Sequence, residues 1–170
     1  ERGSGDLGTD MMGMSEGLRM TLLDGKRYWQ QHEAFQQGKG EKPDAALMQA
    51  MVHYIQAFPV ALHHPKEDDY LFRKLRERTV EANPELDELE HQHVRDEKQV
   101  LELAALVDRY AAGAASVAEV EQAVSHYAQT IWEHMGREEG VILPLAQRYL
   151  TNEDWTEINE AFQKNMDPRF

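Results

Sequence analysis

The sequence contains no cysteine among its 170 residues. Disulfides, thiolate metal sites and cysteine nucleophiles are therefore excluded, and any metal site must use histidine and carboxylate ligands. Positive charge is also scarce, with 18 Lys and Arg against 31 Asp and Glu and a formal net charge of −13. Nucleic acids and anionic membranes attract basic surfaces, so we expect neither of them as a partner.

Long apolar runs are missing as well. No run approaches the roughly 20 residues that span a bilayer, and the N-terminus lacks a basic segment followed by an apolar one. We therefore expect a soluble, cytoplasmic protein. The length and the 41% share of hydrophobic residues suit one domain with its own core. We assign residues 1–11 to a flexible N-terminal segment and residues 12–170 to this domain.

Helical periodicity is present throughout, and no segment of comparable length shows the strict alternation of a half-buried strand. Four long helices are predicted, over about residues 12–37, 44–78, 83–112 and 116–150. A short fifth helix is predicted to begin at Asn152 or Glu153 and to act as a lid. Because short loops make consecutive helices antiparallel neighbours, the predicted fold is an all-α, antiparallel up-down-up-down four-helix bundle.

Three of these helices carry a histidine with a glutamate four residues later: His63 with Glu67, His93 with Glu97, and His134 with Glu138. Residues at this spacing project from one face of a helix, about 5–6 Å apart at Cβ. A single pair of this kind is more often a solvated contact. With 31 acids in the chain some pairs arise by chance, and we interpret His64 with Asp68 as such a coincidence.

The three histidines are predicted to lie at one depth. Each is about 18–19 residues from the same end of the bundle, which at 1.5 Å per residue places all three roughly 27–29 Å from that end. Burying several carboxylates without cations would cost several kcal/mol each, so we predict metal between them. Histidine and carboxylate ligands suit a di-iron or di-manganese site with Glu67 and Glu138 as bridges. Zinc usually takes four ligands, so six candidates favour two metals.

Three segments, HHPKED, LEHQH and HMGREEGVILPL, resemble the hemerythrin-like, or HHE cation-binding, domains. The resemblance covers about residues 18–155. It implies an antiparallel four-helix bundle that holds two iron ions, bridged by two carboxylates and an oxo or hydroxo group. It also implies a protein that binds O2, NO or peroxide. The ligands that it implies are His63, Glu67, His93, His134 and Glu138.

Two positions depart from the family pattern. Glu97 lies where oxygen-carrying relatives have a further histidine, so it is a candidate ligand or a hydrogen-bonding partner of one. In the first helix, Glu16 lies at or beside the position of the expected histidine, whereas His32 is some 20 Å too far along the helix. Either Glu16 is the ligand or one metal keeps an open position. Both alternatives argue against reversible oxygen carriage.

Residues outside this layer have their own interpretations. His32, His53 and His126 are predicted near the other end of the bundle. One interpretation is a second metal site or an access path for a ligand. The commoner outcome for such residues is a hydrogen-bonded core histidine or a surface histidine. Pro59, Pro65 and Pro144 fall inside predicted helices and should bend them, with Gly140 easing the clash at Pro144. Tyr28, Tyr70 and Tyr127 are candidate hydrogen-bond donors near the centre.

Our main hypothesis is a di-iron protein that binds or reacts with O2, NO or peroxide, in oxidative or nitrosative stress or in iron handling. Iron is preferred to manganese and zinc. A competing hypothesis is a di-metal oxidase or peroxidase, which would need an apolar cavity for an organic substrate. A third is a sensor or interaction bundle in which a metal only tunes stability.

Overall fold

The computed structural model describes residues 44–164. The helices of this part of the chain are joined by short loops, and it contains no strand, which confirms the predicted all-α class for these residues. The first predicted helix, which contains Glu16 and His32, lies outside the described residues. The up-down-up-down order of the four long helices includes that segment and stays a prediction, as do the proposed domain limits.

Four helices make up the described residues: α1 over Ala45–Arg78, α2 over Asn83–Ala111, α3 over residues 117–149 and α4 over Asn152–Gln163. Local signals set their ends. Asp44 accepts hydrogen bonds from the first backbone N–H groups of α1, and Ser116 and Thr151 each begin a capping box. The predicted helix limits differ from these by one residue at most.

Two of the helices contain π-helical stretches: Gln56–His63 and Glu67–Phe72 in α1, and Glu138–Ile142 in α3. The backbone N–H of His64 bonds to the carbonyl of Pro59, and that of Leu143 to the carbonyl of Glu138, each five residues earlier. Proline has no N–H and cannot make the usual bond, so local widening accommodates it. A Cβ at Gly140 would meet nothing within 4 Å, so space for Pro144 does not depend on that glycine.

Two apolar clusters form the core. The first contains Leu71, Phe72, Leu75, Leu86, Leu89, Ile142, Trp155 and Phe162 among others. The second contains Met48, Val52, Ile55, Val100, Val107, Val120, Ile131 and Met135 among others. Along each of the three long helices, buried histidines and acids stand between these two clusters. The fold therefore places a polar layer inside an otherwise apolar bundle.

Helix α1 is also long and apolar enough to pass, by length and composition, as a candidate membrane span, which the search for apolar runs did not anticipate. This is weak support for a span, because core helices of bundles meet the same criteria. The buried His63, His64 and Glu67 in α1 are costly in a lipid environment. These polar groups fit a helix that faces other helices.

Candidate metal centre

Four buried side chains offer ligand atoms that all lie within 4.8 Å of one another. They are His64 and Glu67 from α1, His93 from α2 and His134 from α3. Glu67 is only 1% exposed. The π-helical stretches on either side of this part of α1 explain why two adjacent histidines are both buried, since a π turn takes in one residue more than an α turn.

The distances within this cluster suit a metal ion. The Nε2 atoms of His93 and His134 are 3.2 Å apart, and Glu67 Oε2 is 3.3 Å from His93 Nε2. Two donors that each lie about 2.1 Å from one ion, at angles of 90–110°, are separated by roughly 3.0–3.4 Å. Glu138 Oε1 adds a further oxygen 2.7 Å from His134 Nε2. A set of imidazoles and carboxylates without thiolates suits iron, manganese or zinc.

Glu67 faces two histidines at once. Its Oε1 lies 2.8 Å from His63 Nε2, while its Oε2 lies near His93. The ring of His63 meets the edge of Phe162 from α4 at a centroid distance of 5.3 Å. Its Nδ1 is buried and has no hydrogen-bond partner within the described part of the chain. His63 therefore approaches the same carboxylate from a second direction.

The imidazoles of His93 and His134 are oriented by groups outside the cluster. His93 donates its Nδ1–H to Asp68 Oδ1 at 2.8 Å, and His134 donates its Nδ1–H to Gln92 Oε1 at 2.9 Å. The amide of Gln92 in turn donates to Glu88 at 2.8 Å. These bonds keep a proton on Nδ1 and direct Nε2 at the interior, so that metal binding would displace only the Nε2 proton.

Electrostatics separates the roles of the buried groups. Burial alone would lower the pKa of His93, but hydrogen bonds to Asp68, Glu138 and Glu67 raise it to about 12. Burial would raise the pKa of Glu138, yet His134 and His93 hold it well below its usual value. Burial together with the neighbouring His93 and His63 lowers the pKa of His64 strongly. An ionised Glu138 and a neutral His64 are the forms that bind cations.

Asp96 is a buried acid that sequence reasoning missed. It is 4% exposed, and its Oδ2 lies 3.5 Å from His64 Nδ1. Burial raises the pKa of Asp96 to about 6, although the nearby Tyr127 opposes the shift. A signal was available, because Asp96 follows His93 by three residues and the i, i+3 spacing also keeps two residues on one helix face.

The structure brings together five of the predicted ligands, His63, Glu67, His93, His134 and Glu138, all of them buried. Glu97 is exposed to solvent, on the side of α2 away from the cluster, and Glu16 lies outside residues 44–164. His64, whose pair with Asp68 we interpret from the sequence as a coincidence, joins the cluster.

Of the proposed second histidine group, His53 and His126 are both exposed. Among the candidate tyrosines, Tyr127 is buried and faces Asp96.

Comparison with known protein families agrees with this geometry. A family model described as hemerythrin HHE cation-binding domain matches residues 26–146. The match covers most of the chain and includes every residue of the buried polar layer. Comparisons with curated proteins and with solved structures gave no match. The chain therefore belongs to the hemerythrin HHE cation-binding domain family.

Proposed function

We propose that this protein is a non-haem di-iron protein that binds or reacts with O2, NO or peroxide. The observation that carries the proposal is the position of Glu67. Its two oxygens face His63 on one side and His93 on the other, in a layer closed to solvent. A carboxylate placed in this way suits a bridge between two cations, and the imidazole and carboxylate donors suit iron.

The residues divide between two positions. His64, His93 and His134 would hold one ion, and His63 the other, with Glu67 and Glu138 shared between them. Glu16 stays a candidate for the remaining ligand of the second position. When bound, a pair of iron ions supplies the electrons with which a small oxidant can be bound or reduced. Asp68 and Gln92 keep the imidazoles oriented, and the two apolar clusters exclude water from both sides.

A bundle without metal explains these residues less well. Glu67, Asp96 and Glu138 are all buried in one layer, and burying a carboxylate without a neutralising cation costs several kcal/mol. Buried oxygens of Glu67 and Asp96 also lack hydrogen-bond partners among the described residues. Cations between these groups remove both costs. The proposal includes a role in oxidative or nitrosative stress or in iron handling.

Metal analysis combined with an absorption spectrum tests the proposal. The protein is folded without oxygen in excess iron(II), freed of unbound metal and then exposed to air. We expect two irons per chain and charge-transfer absorption in the near ultraviolet. A folded chain that stays colourless and empty of iron under these conditions would overturn the proposal.

The bridging role of Glu138 has its own test. We expect Glu138→Ala to lose at least one of the two irons, because no other described carboxylate lies as close to His134 Nε2. Iron content and spectrum are measured as above. The control is Glu133→Ala, which removes an exposed glutamate from the same helix and should keep both irons. Two irons bound at unchanged affinity by the Glu138 variant would contradict a bridging role.

A further inference from the structure

Four buried polar atoms close to the metal cluster have no hydrogen-bond partner within the described residues: His64 Nδ1, both carboxylate oxygens of Asp96 and the hydroxyl of Tyr127. They are neighbours. Asp96 Oδ2 lies 3.5 Å from His64 Nδ1, and Tyr127 and Asp96 are close enough to shift the pKa of one another. Buried polar groups are nearly always hydrogen-bonded in folded proteins, so a group of unpaired ones requires an explanation.

The other histidines of the cluster suggest what this group does. His93 and His134 each have an acceptor at Nδ1, Asp68 and Gln92 respectively. His64 stacks on the ring of His93 at a centroid distance of 4.2 Å and an angle of 8°, so the two rings are held parallel. Asp96 stands in the same relation to the Nδ1 of His64 as Asp68 does to that of His93, but at a longer distance.

We propose that Asp96 is a positioning residue that orients His64 as a metal ligand, with the hydroxyl of Tyr127 as the donor to its second oxygen. This inference rests on the proposed function. The acid of α2 that follows His93 and supports the site would then be Asp96. Glu97, the next residue, is exposed to solvent. A His64 that binds metal through Nε2 keeps its proton on Nδ1, and Asp96 Oδ2, at 3.5 Å, is the acceptor that this proton would meet.

The chemistry follows the pattern of carboxylate, histidine and metal. A carboxylate that accepts from Nδ1–H fixes the tautomer with a free Nε2 and makes the imidazole a stronger donor to a cation. In this arrangement the hydroxyl of Tyr127 would donate to the second oxygen of Asp96 and keep the acid turned toward His64. Without metal, the same buried acid contributes little to stability, because its oxygens are unpaired.

Removing Asp96 should therefore lower metal affinity without lowering the stability of the metal-free protein, and this combination gives a test. Asp96→Leu keeps the branching of the side chain but removes the acceptor. We expect it to weaken binding of iron(II), measured without oxygen against a competing chelator, by about 10–100-fold. We expect the metal-free variant to unfold at the same or a higher denaturant concentration than the wild type. A residue with a merely structural role would lower both quantities together.

Further variants separate the parts of the proposal. Asp96→Asn retains an acceptor oxygen and should recover most of the affinity. Tyr127→Phe should weaken binding by less than tenfold alone and should have no further effect in the Asp96→Leu background, because it acts through Asp96. Two variants serve as controls. Glu97→Leu changes an exposed residue next to Asp96, and Tyr110→Phe changes a buried tyrosine near the C-terminal end of α2. Both should bind iron as the wild type does.

The visible spectrum of bound cobalt(II) gives a second readout. It should change in Asp96→Leu, since the geometry around the ion changes with the orientation of His64, and stay unchanged in Glu97→Leu. Wild-type affinity and an unaltered cobalt spectrum in Asp96→Leu would overturn this inference and leave the proposed function standing. A wild-type protein that binds neither iron nor cobalt would overturn both.

Discussion

The ring nitrogens of the buried histidines decide what this site can bind. A histidine in this layer is useful to a cation only when its proton sits on the nitrogen that faces away from the cluster. Asp68 imposes that arrangement on His93, and Gln92 imposes it on His134. The partners differ in charge, since one is a carboxylate and the other an amide. His93 is therefore expected to be the stronger electron donor of the two.

Part of this arrangement was predictable from the sequence. The i, i+4 spacing selected His63, Glu67, His134 and Glu138, all of which are buried. The same rule gave Glu97 too much weight and missed Asp96, and the pair of His64 with Asp68, which it did find, was interpreted as a coincidence. It assumed regular helices, whereas a π-helical stretch shifts which side chains face inward. Nothing in the residue spacing alone reveals that shift.

Gln92 provides a prediction at this scale. Gln92→Leu removes the acceptor for His134 Nδ1–H, so we expect metal affinity to fall by about 10–100-fold. Gln92→Glu keeps an acceptor oxygen for His134 but loses the bond to Glu88, so it should recover only part of the affinity. Competition with a chelator measures both. The matched control is Gln129→Leu, which removes an exposed amide that donates to Glu133. An unchanged affinity in Gln92→Leu would show that His134 orients itself without this partner.

At the scale of elements, the helix ends were predictable and the interiors were not. Capping residues such as Asp44, Ser116 and Thr151 mark the starts in the sequence, because their side chains accept bonds that the first helical turn leaves open. The prolines indicated a bend. They did not indicate that π-helical bonds would replace the bond that each proline cannot make, beside the candidate ligands, since that depends on the tertiary packing around each turn.

Gly136 and Gly140 test whether the regular and the π-helical parts of α3 need the backbone freedom of glycine. A Cβ at Gly136 or Gly140 would meet nothing within 4 Å. Alanine restricts the unfolded chain, so Gly136→Ala, in the regular part of α3, should raise the free energy of unfolding by about 0.5–1 kcal/mol. Gly140→Ala, inside the π-helical stretch, should gain less if that stretch needs extra backbone freedom.

At Gly113, substitution by alanine should destabilise the protein. It follows α2 with a φ of 75°, which L side chains rarely adopt, so Gly113→Ala should lower the free energy of unfolding by about 1 kcal/mol. Denaturant unfolding of the metal-free protein measures all three variants. A gain at position 140 as large as at position 136 would show that the π-helical stretch is set by Pro144 and packing alone.

At the scale of the molecule, within residues 44–164, the two apolar clusters form the core and the polar layer between them contains the candidate metal site. The short helix α4 adds to both, because Trp155 and Ile158 join the core and Phe162 meets His63. Its position depends on ion pairs with the end of α1. Arg78 binds both carboxylate oxygens of Asp154, at 2.8 and 2.9 Å, and Lys74 pairs with Glu157 at 2.7 Å.

The pH dependence of stability tests this attachment. Hydrogen bonds from Arg78 lower the pKa of the buried Asp154 to about 2, from an ordinary value of 3.8. A carboxylate whose pKa is lowered by folding stabilises the folded state at pH values above its ordinary pKa. This stabilisation is lost as the pH falls from about 4 to about 2. The contribution at neutral pH is at most about 2 kcal/mol, and solvent around the half-exposed Arg78 reduces it to about 1 kcal/mol.

Asp154→Asn removes this titration and isolates it from that of the other acids. The free energy of unfolding of the metal-free wild type should exceed that of the variant by a constant amount above pH 5. The difference should shrink as the pH falls from 4 to 2 and approach zero below pH 2, because the wild-type aspartate is half protonated at about pH 2 and then comes to resemble the asparagine. Asp87→Asn, which removes an exposed partner of Arg76, should show a small difference throughout. A difference for Asp154→Asn that stays constant from pH 5 to pH 2 would mean that the acid acts through its shape and its bond to Thr151, and that its charge does not hold α4 against α1.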